Sequence, residues 1–192
     1  MESPLTFSLK KCYNVLYKRY YKNRRGNMFC VNEYVVYGSE GVCRIESIGR
    51  TDITGLDKEK EYYTLVPVYK SGKIYTPTDS TIIMRRVITK ERAQELVKHI
   101  KDISSELDVP RDAKLAAAFY KELVRTYECE KLIKVIRHIF EKQRELIPLK
   151  KNLPAVDSKY FKMAQDILYG ELGFALGIAP NEVKGYIEKN CG

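Results

Sequence analysis

The residues most often used for metal binding or redox chemistry are cysteine and histidine, and their spacing in this chain supports neither use. There are five cysteines, no two of which stand in a C-x-x-C pattern, whereas zinc sites and disulfide frameworks need paired or clustered ligands. The two histidines, His99 and His138, lie far apart in the sequence. We therefore expect reduced thiols, no metal and no cofactor. The cysteines are Cys12, Cys30, Cys43, Cys129 and Cys191.

Three carboxylates in the last quarter of the chain stand close enough in sequence to suggest acid–base chemistry. Asp157, Asp166 and Glu171 fall on one predicted helix, where Asp157 suits the N-cap and the other two suit a solvated face. The sequence contains no glycine-rich phosphate loop, no G-x-S-x-G motif and no metal-ligand spacing. We interpret the chain as non-enzymatic.

Basic side chains are the remaining candidates for function. The net charge is +9, and it divides into +6 for residues 1–27, zero for 28–89 and +3 for 90–192. Residues 111–162 alone carry thirteen basic and seven acidic residues. Such an excess attracts polyanions through their phosphates, although a solvated helix face explains it equally well. The candidate DNA contacts in this region are Lys114, Lys121, Arg125, Lys131, Lys134, Arg137, Lys150 and Lys151.

The elements that position these residues change character near residue 89. Residues 34–48 and 61–77 alternate apolar and polar residues, are rich in β-branched and aromatic types, and are separated by glycine-bearing turns. Gly41 suits a turn that needs positive φ, and Pro67 indicates a sheet edge or a bulge. The pattern predicts five short strands in a small SH3-like or Tudor-like barrel.

Beyond residue 89 the apolar period becomes 3.6, which predicts an all-α region of about five helices. Thr89 suits the N-cap of the first helix. We expect the third helix to bury Phe140 together with the aliphatic residues of its apolar stripe. The later helices are predicted from about 111 to 126, from about 128 to 146, from Asp157 to near Gly177, and from Pro180 onward.

The chain is thus predicted to be an α+β protein of two domains. We divide it into a basic extension at 1–27, a β domain at 28–89 and a helical domain at 90–192. The extension is expected to be poorly ordered and to contribute little to function, although its alternating tyrosines and basic residues also suit a basic amphipathic helix.

The barrel pattern of residues 29–79 resembles the RNA-polymerase-interacting domain of the CarD family of bacterial transcription regulators, which transcription-repair coupling factor shares. Residues 135–140, Val-Ile-Arg-His-Ile-Phe, and residues 164–172 are similar to two helices of the same family. The resemblance covers about 29–177. It implies that the barrel binds the β subunit of RNA polymerase, that the helical domain binds promoter DNA, and that the protein stabilises the open complex.

The resemblance also implies which residues carry these contacts. At the polymerase they are Arg50, Thr51, Lys73, Tyr75 and Arg85. Two of these positions, Thr51 and Tyr75, replace basic residues of the family, and Arg50 and Lys73 stand close by. At the DNA, family members insert a tryptophan, and Ala113 occupies that position in a chain without tryptophan. Phe119 and Tyr120 are the nearest large aromatics, with Phe119 expected in the core.

Two function classes follow. The first is a non-enzymatic transcription regulator that joins RNA polymerase to promoter DNA. The alternative is a protein-binding adaptor of the polymerase with little DNA activity. In both cases we expect a monomeric cytoplasmic protein, since no apolar run reaches the length of a membrane span.

Overall fold

A computed structural model of the chain describes residues 21–22 and 28–192. The chain divides between Arg86 and Val87 into two compact units, a β unit and a helical unit. The α+β class predicted from the sequence is confirmed.

The β unit contains a five-stranded antiparallel sheet and a separate two-stranded ribbon. The sheet runs in the order β6-β5-β4-β3-β7. Within the described residues, no ladder joins β6 to β7, so the five predicted strands form an open sheet and do not close into a barrel. Closure into a barrel requires the two edge strands, β6 and β7, to pair with each other. These strands are only four and three residues long. The strands are β1 Tyr21–Lys22, β2 Met28–Phe29, β3 Tyr34–Tyr37, β4 Gly41–Gly49, β5 Tyr62–Pro67, β6 Ile74–Pro77 and β7 Met84–Arg86.

The longest strand, β4, bends the sheet over its core. Its register against β5 shifts between Ile45 and Ser47, which is a β-bulge that increases the local twist. Gly41, at the start of β4, has φ +76°, as the turn prediction requires. Pro67 pairs with Cys43 at a point where β5 extends past the end of β6, so its missing N–H faces a locally free edge. The core on one face of the sheet contains Phe29, Val35, Tyr37, Cys43, Ile45, Tyr63, Leu65 and Met84.

The helical unit has five α-helices in its described residues. Thr89 caps the first helix as predicted, because its hydroxyl oxygen accepts a hydrogen bond from the Arg92 N–H. Asp112 caps the second through the N–H groups of Lys114 and Leu115. The helices are α1 Lys90–Lys98, α2 Ala113–Val124, α3 Cys129–Leu146, α4 Ala155–Leu176 and α5 Val183–Asn190. None of them is long and apolar enough to cross a bilayer.

The N-terminus of α4 differs from the prediction. The helix begins at Ala155, after Pro154, and Asp157 lies inside its first turn instead of capping it. Asp157 is 2% exposed and Glu171 is 1% exposed, so neither a capping role nor a solvated face describes them. Only Asp166 of the three carboxylates is exposed, as expected.

The core of the helical unit lies where α2, α3 and α4 pack together, with α1 and α5 at one side. Leu132, Ile133 and Ile139 of the predicted α3 stripe are fully buried, whereas Phe140 is 50% exposed. The expectation that Phe140 is buried is therefore wrong.

Candidate functional site

Among the residues that the structure describes, no strand pairs with the outer edge of β6. The Thr78 N–H donates to the Glu61 carbonyl oxygen at 2.9 Å, and Tyr62 stands opposite Pro77. Because hydrogen-bonded and non-hydrogen-bonded pairs alternate in an antiparallel ladder, the N–H and C=O of Tyr75 point away from β5. Pro77 also points outward and has no N–H. Within β6, Tyr75 is therefore the residue that offers both a donor and an acceptor to a partner strand.

Lys73 lies beside this edge and forms an ion pair with Glu46, which stands at the β-bulge of β4. Its ammonium group lies 2.5 Å from a carboxylate oxygen of Glu46, and the hydrogen bond and charge of Glu46 raise the pKa of Lys73. The Tyr75 side chain is half-buried, opposite Thr64 of β5. The structure therefore places Tyr75 on the edge strand and Lys73 immediately before it.

Arg50 and Thr51 follow the last residue of β4. Gly49 pairs with Tyr62, which in turn pairs with Pro77, so these two residues lie at the end of the sheet where β6 ends. Arg50 is exposed and forms an ion pair of 3.4 Å with Glu59. The Thr51 hydroxyl accepts a weak hydrogen bond from the Ile53 N–H at 3.4 Å. Both are near the β6 edge but not on it.

Arg85 is separated from the other four predicted polymerase contacts. It lies on β7, the opposite edge strand, and pairs with Val36. In the order of the sheet, three strands stand between these two edges. The Arg85 guanidinium donates to the Arg86 carbonyl oxygen at 3.1 Å. Arg85 therefore lies on a different sheet edge from Tyr75.

The predicted DNA contacts on α2 form one stripe. Lys114, Lys121 and Arg125 are seven and four positions apart, which places them on the same face at about 100° per residue. All three are exposed, and none forms an ion pair within the part of the chain that the structure describes. The stripe, Lys114–Lys121–Arg125, is therefore available to a polyanion.

Two of the predicted DNA contacts on α3, Lys131 and Arg137, already bind other groups of the protein. Lys131 forms an ion pair of 3.1 Å with Glu128. Arg137 donates to the carbonyl oxygens of Ile100 at 3.0 Å and Lys101 at 2.7 Å, and also to that of Ile103. Arg137 therefore stabilises the turn after α1. This role could not be predicted from the sequence, because the carbonyl partners lie more than thirty residues away. Lys134 is half-buried, and Lys150 and Lys151 are exposed in the turn after α3.

Ala113 is the first residue of α2 and lines a groove of about 1090 Å³. The residues from 105 to 111 form one wall, and α3 and the start of α4 form the other. We call this the acidic groove, because five carboxylates and two basic side chains line it. They are Glu106, Asp108, Glu141, Glu145 and Asp157, with Arg111 and Lys142.

The aromatic residues near Ala113 are not free. Tyr120 is completely buried, with its ring 5.6 Å from that of Tyr160, and Phe119 is half-buried. Burial raises the pKa of Tyr120, and the nearby Asp157 carboxylate raises it further. Among the described residues of the helical unit, Phe140 is the aromatic that stands out as exposed. Phe140 belongs to an apolar helical stripe, and the sequence pattern does not distinguish an exposed member of such a stripe from a buried one. Its exposure was therefore not predicted.

Glu171 is a buried acid within the helical core. Its carboxylate accepts a hydrogen bond from the Ile88 N–H at 3.2 Å and another from the Cys129 thiol at 3.3 Å. These contacts anchor the segment before α1 to α4 and stabilise the fold. The described residues contain no group of three or more potential metal ligands.

Comparison with known proteins identifies the β unit. Residues 29–88 match the family model described as CarD-like/TRCF RID domain. A comparison with curated proteins gives no significant match. Domains of this family have a Tudor-like fold and interact with the RNA polymerase β subunit; they are protein-interaction domains, not known as enzymes. The matched residues contain the whole open sheet and its β6 edge, so the match identifies the β unit as a CarD-like/TRCF RID domain.

Proposed function

We propose that this protein is a non-enzymatic transcription regulator that binds the RNA polymerase β subunit through its β unit and promoter DNA through its helical unit. In doing so it changes the stability of the open complex. The observation that carries the proposal is that the family match coincides with a sheet whose β6 edge pairs with no other strand in the described part of the chain.

The β6 edge supports strand addition by the polymerase. An extended partner segment gains affinity from backbone hydrogen bonds at such an edge and specificity from neighbouring side chains. Lys73 and Tyr75 are the neighbours here, with Arg50 and Thr51 at the end of the sheet. Arg85 contributes to this interface only if the polymerase also contacts the β7 edge.

The test for the β6 edge is a binding measurement between the full-length chain and the isolated β subunit. Replacing Tyr75 by Pro removes the outward donor while leaving the β5 hydrogen bonds in place, so we expect roughly tenfold weaker binding. The matched control is Tyr75→Val, which changes the side chain but keeps the N–H. If Tyr75→Pro binds as well as Tyr75→Val, β6 is not the edge that the polymerase uses.

The Lys114–Lys121–Arg125 stripe supports DNA binding. Three exposed cations on one helix face suit successive phosphates, and each contact releases counterions, so binding weakens as salt rises. Replacing all three by Ala is expected to flatten the salt dependence by roughly one unit of slope per lost contact. The control removes the same charge elsewhere, at Lys90, Lys98 and Lys189, which are exposed on α1 and α5. Equal salt slopes for the two triple variants contradict the stripe.

The adaptor alternative has one specific observation in its favour. Ala113, the position of the family's tryptophan, borders the acidic groove, where carboxylates repel DNA phosphates. The two functions are distinguished by mixing the full-length chain with promoter duplex in the absence of polymerase. Salt-sensitive retardation supports DNA binding, and its absence at low salt supports the adaptor.

A further inference from the structure

The acidic groove is a large concave surface of the helical unit, and its lining does not include the Lys114–Lys121–Arg125 stripe. Its volume of about 1090 Å³ falls near the upper limit of the range for small-ligand pockets, and it is open along one side. A groove of this size and shape accommodates an extended segment of several residues.

The lining combines an apolar floor with an acidic rim. Leu107, Val109, Ala113, Ala116 and Val156 supply aliphatic surface. A chain with aliphatic groups at its centre and cationic groups at its ends complements such a surface.

The charges of the rim do not cancel. The Lys142 ammonium group forms an ion pair of 2.5 Å with the Asp157 carboxylate. Glu141 accepts a hydrogen bond from the Ser105 hydroxyl at 2.6 Å. Glu106, Asp108 and Glu145 remain exposed, and none of the three forms an ion pair within the described residues; Arg111 is the one basic side chain left to oppose them. The groove therefore presents excess negative charge on a protein whose net charge is +9.

We infer that the acidic groove binds a protein partner through a peptide segment that carries arginine or lysine side chains among aliphatic residues. Long basic side chains pack their methylene stems on the apolar floor while their charged heads reach the carboxylates of the rim. This interaction is independent of strand addition at β6 and of the Lys114–Lys121–Arg125 stripe. It makes the helical unit a second protein-binding module.

The probe is a fluorescein-labelled nine-residue peptide of alternating Leu and Arg, titrated into the full-length chain and followed by anisotropy. Because the chain as a whole is positively charged, general electrostatics repel this peptide, so binding reports a local acidic site. A peptide with Glu in place of Arg is expected not to bind. Binding of the Glu peptide with equal affinity overturns the proposal.

The variant Glu106→Gln/Glu145→Gln removes two rim charges while keeping the side-chain shapes, and we expect it to weaken binding roughly three- to tenfold. The matched control is Glu122→Gln/Asp166→Asn, which removes two exposed carboxylates outside the groove. Ala113→Phe fills one end of the groove and is expected to weaken binding without changing the charge. Equal affinity of the groove variant and its control overturns the assignment, as does unchanged affinity in Ala113→Phe.

Discussion

The ammonium group of Lys142 lies 2.5 Å from a carboxylate oxygen of Asp157, and the two residues are fifteen positions apart in the sequence. The Asp157 side chain is 3% exposed and that of Lys142 is 38% exposed. The pair therefore joins the second half of α3 to the first turn of α4, and it places a buried acid behind the wall of the acidic groove.

Lys142→Met should destabilise the helical unit because it leaves the Asp157 carboxylate buried without its cation. We expect a loss of about 1–3 kcal/mol, toward the lower end because the lysine head is partly solvated. Urea unfolding measures this loss. The control is Lys121→Met, at an exposed lysine on α2, and an equal loss there contradicts a special role for the pair.

Arg137→Ala should also lower the free energy of unfolding, by about 2 kcal/mol, because three carbonyl oxygens after α1 lose a charged donor. Amide exchange of residues 100–103 should become faster in the variant. The salt slope of DNA binding should stay unchanged, since the guanidinium is already occupied. A flatter slope with unchanged stability means that Arg137 contacts phosphate instead.

Burial, followed by the nearby charge of Glu40, raises the pKa of the Cys43 thiol to about 11. In the unfolded chain the thiol has a lower pKa, so the protonated form stabilises the fold fully below about pH 9, and this contribution is lost between about pH 9 and pH 11. Urea unfolding across that window should show a shallower fall in stability for Cys43→Val than for the parent chain. Parallel pH profiles of the two proteins contradict the assignment.

Phe140→Ala should shorten the lifetime of the open complex, if the helical unit acts on DNA, because Phe140 is an exposed aromatic that can stack on a base. Its fold should be preserved, since half of the side chain already faces solvent. Tyr120→Ala should instead unfold or strongly destabilise the unit, by about 3–5 kcal/mol, because it leaves a cavity in the core. An unchanged lifetime for Phe140→Ala excludes this residue from any contact with the bubble.

The helices were largely predictable because their signals are local. The 3.6-residue apolar period and the hydroxyl of Thr89 both act within a few residues, and both were read correctly from the sequence. The sheet is different, because closure depends on whether β6 meets β7, and no local pattern encodes a pairing between two edges that short.

The candidate sites were predicted less completely, for a related reason. Whether Arg137 is free depends on carbonyl groups thirty-four to thirty-seven residues away. Whether Asp157 and Glu171 are solvated depends on the helices and the thiol that pack against them. A helical wheel assigns Phe140 to the core because it assumes packing along the whole apolar stripe, whereas the Phe140 side chain is 50% exposed.

The shortness of β6 limits what its edge can do by itself. Two copies of this chain that met edge to edge at Tyr75 would share about two backbone hydrogen bonds, a net gain of roughly 1–3 kcal/mol. Association of two proteins costs at least about 4 kcal/mol in lost translational and rotational freedom. The shortness of the edge therefore protects it against self-association and indiscriminate strand pairing, in addition to the missing N–H of Pro77. A partner that does bind there is selected by what its side chains add at Lys73, Arg50 and Thr51.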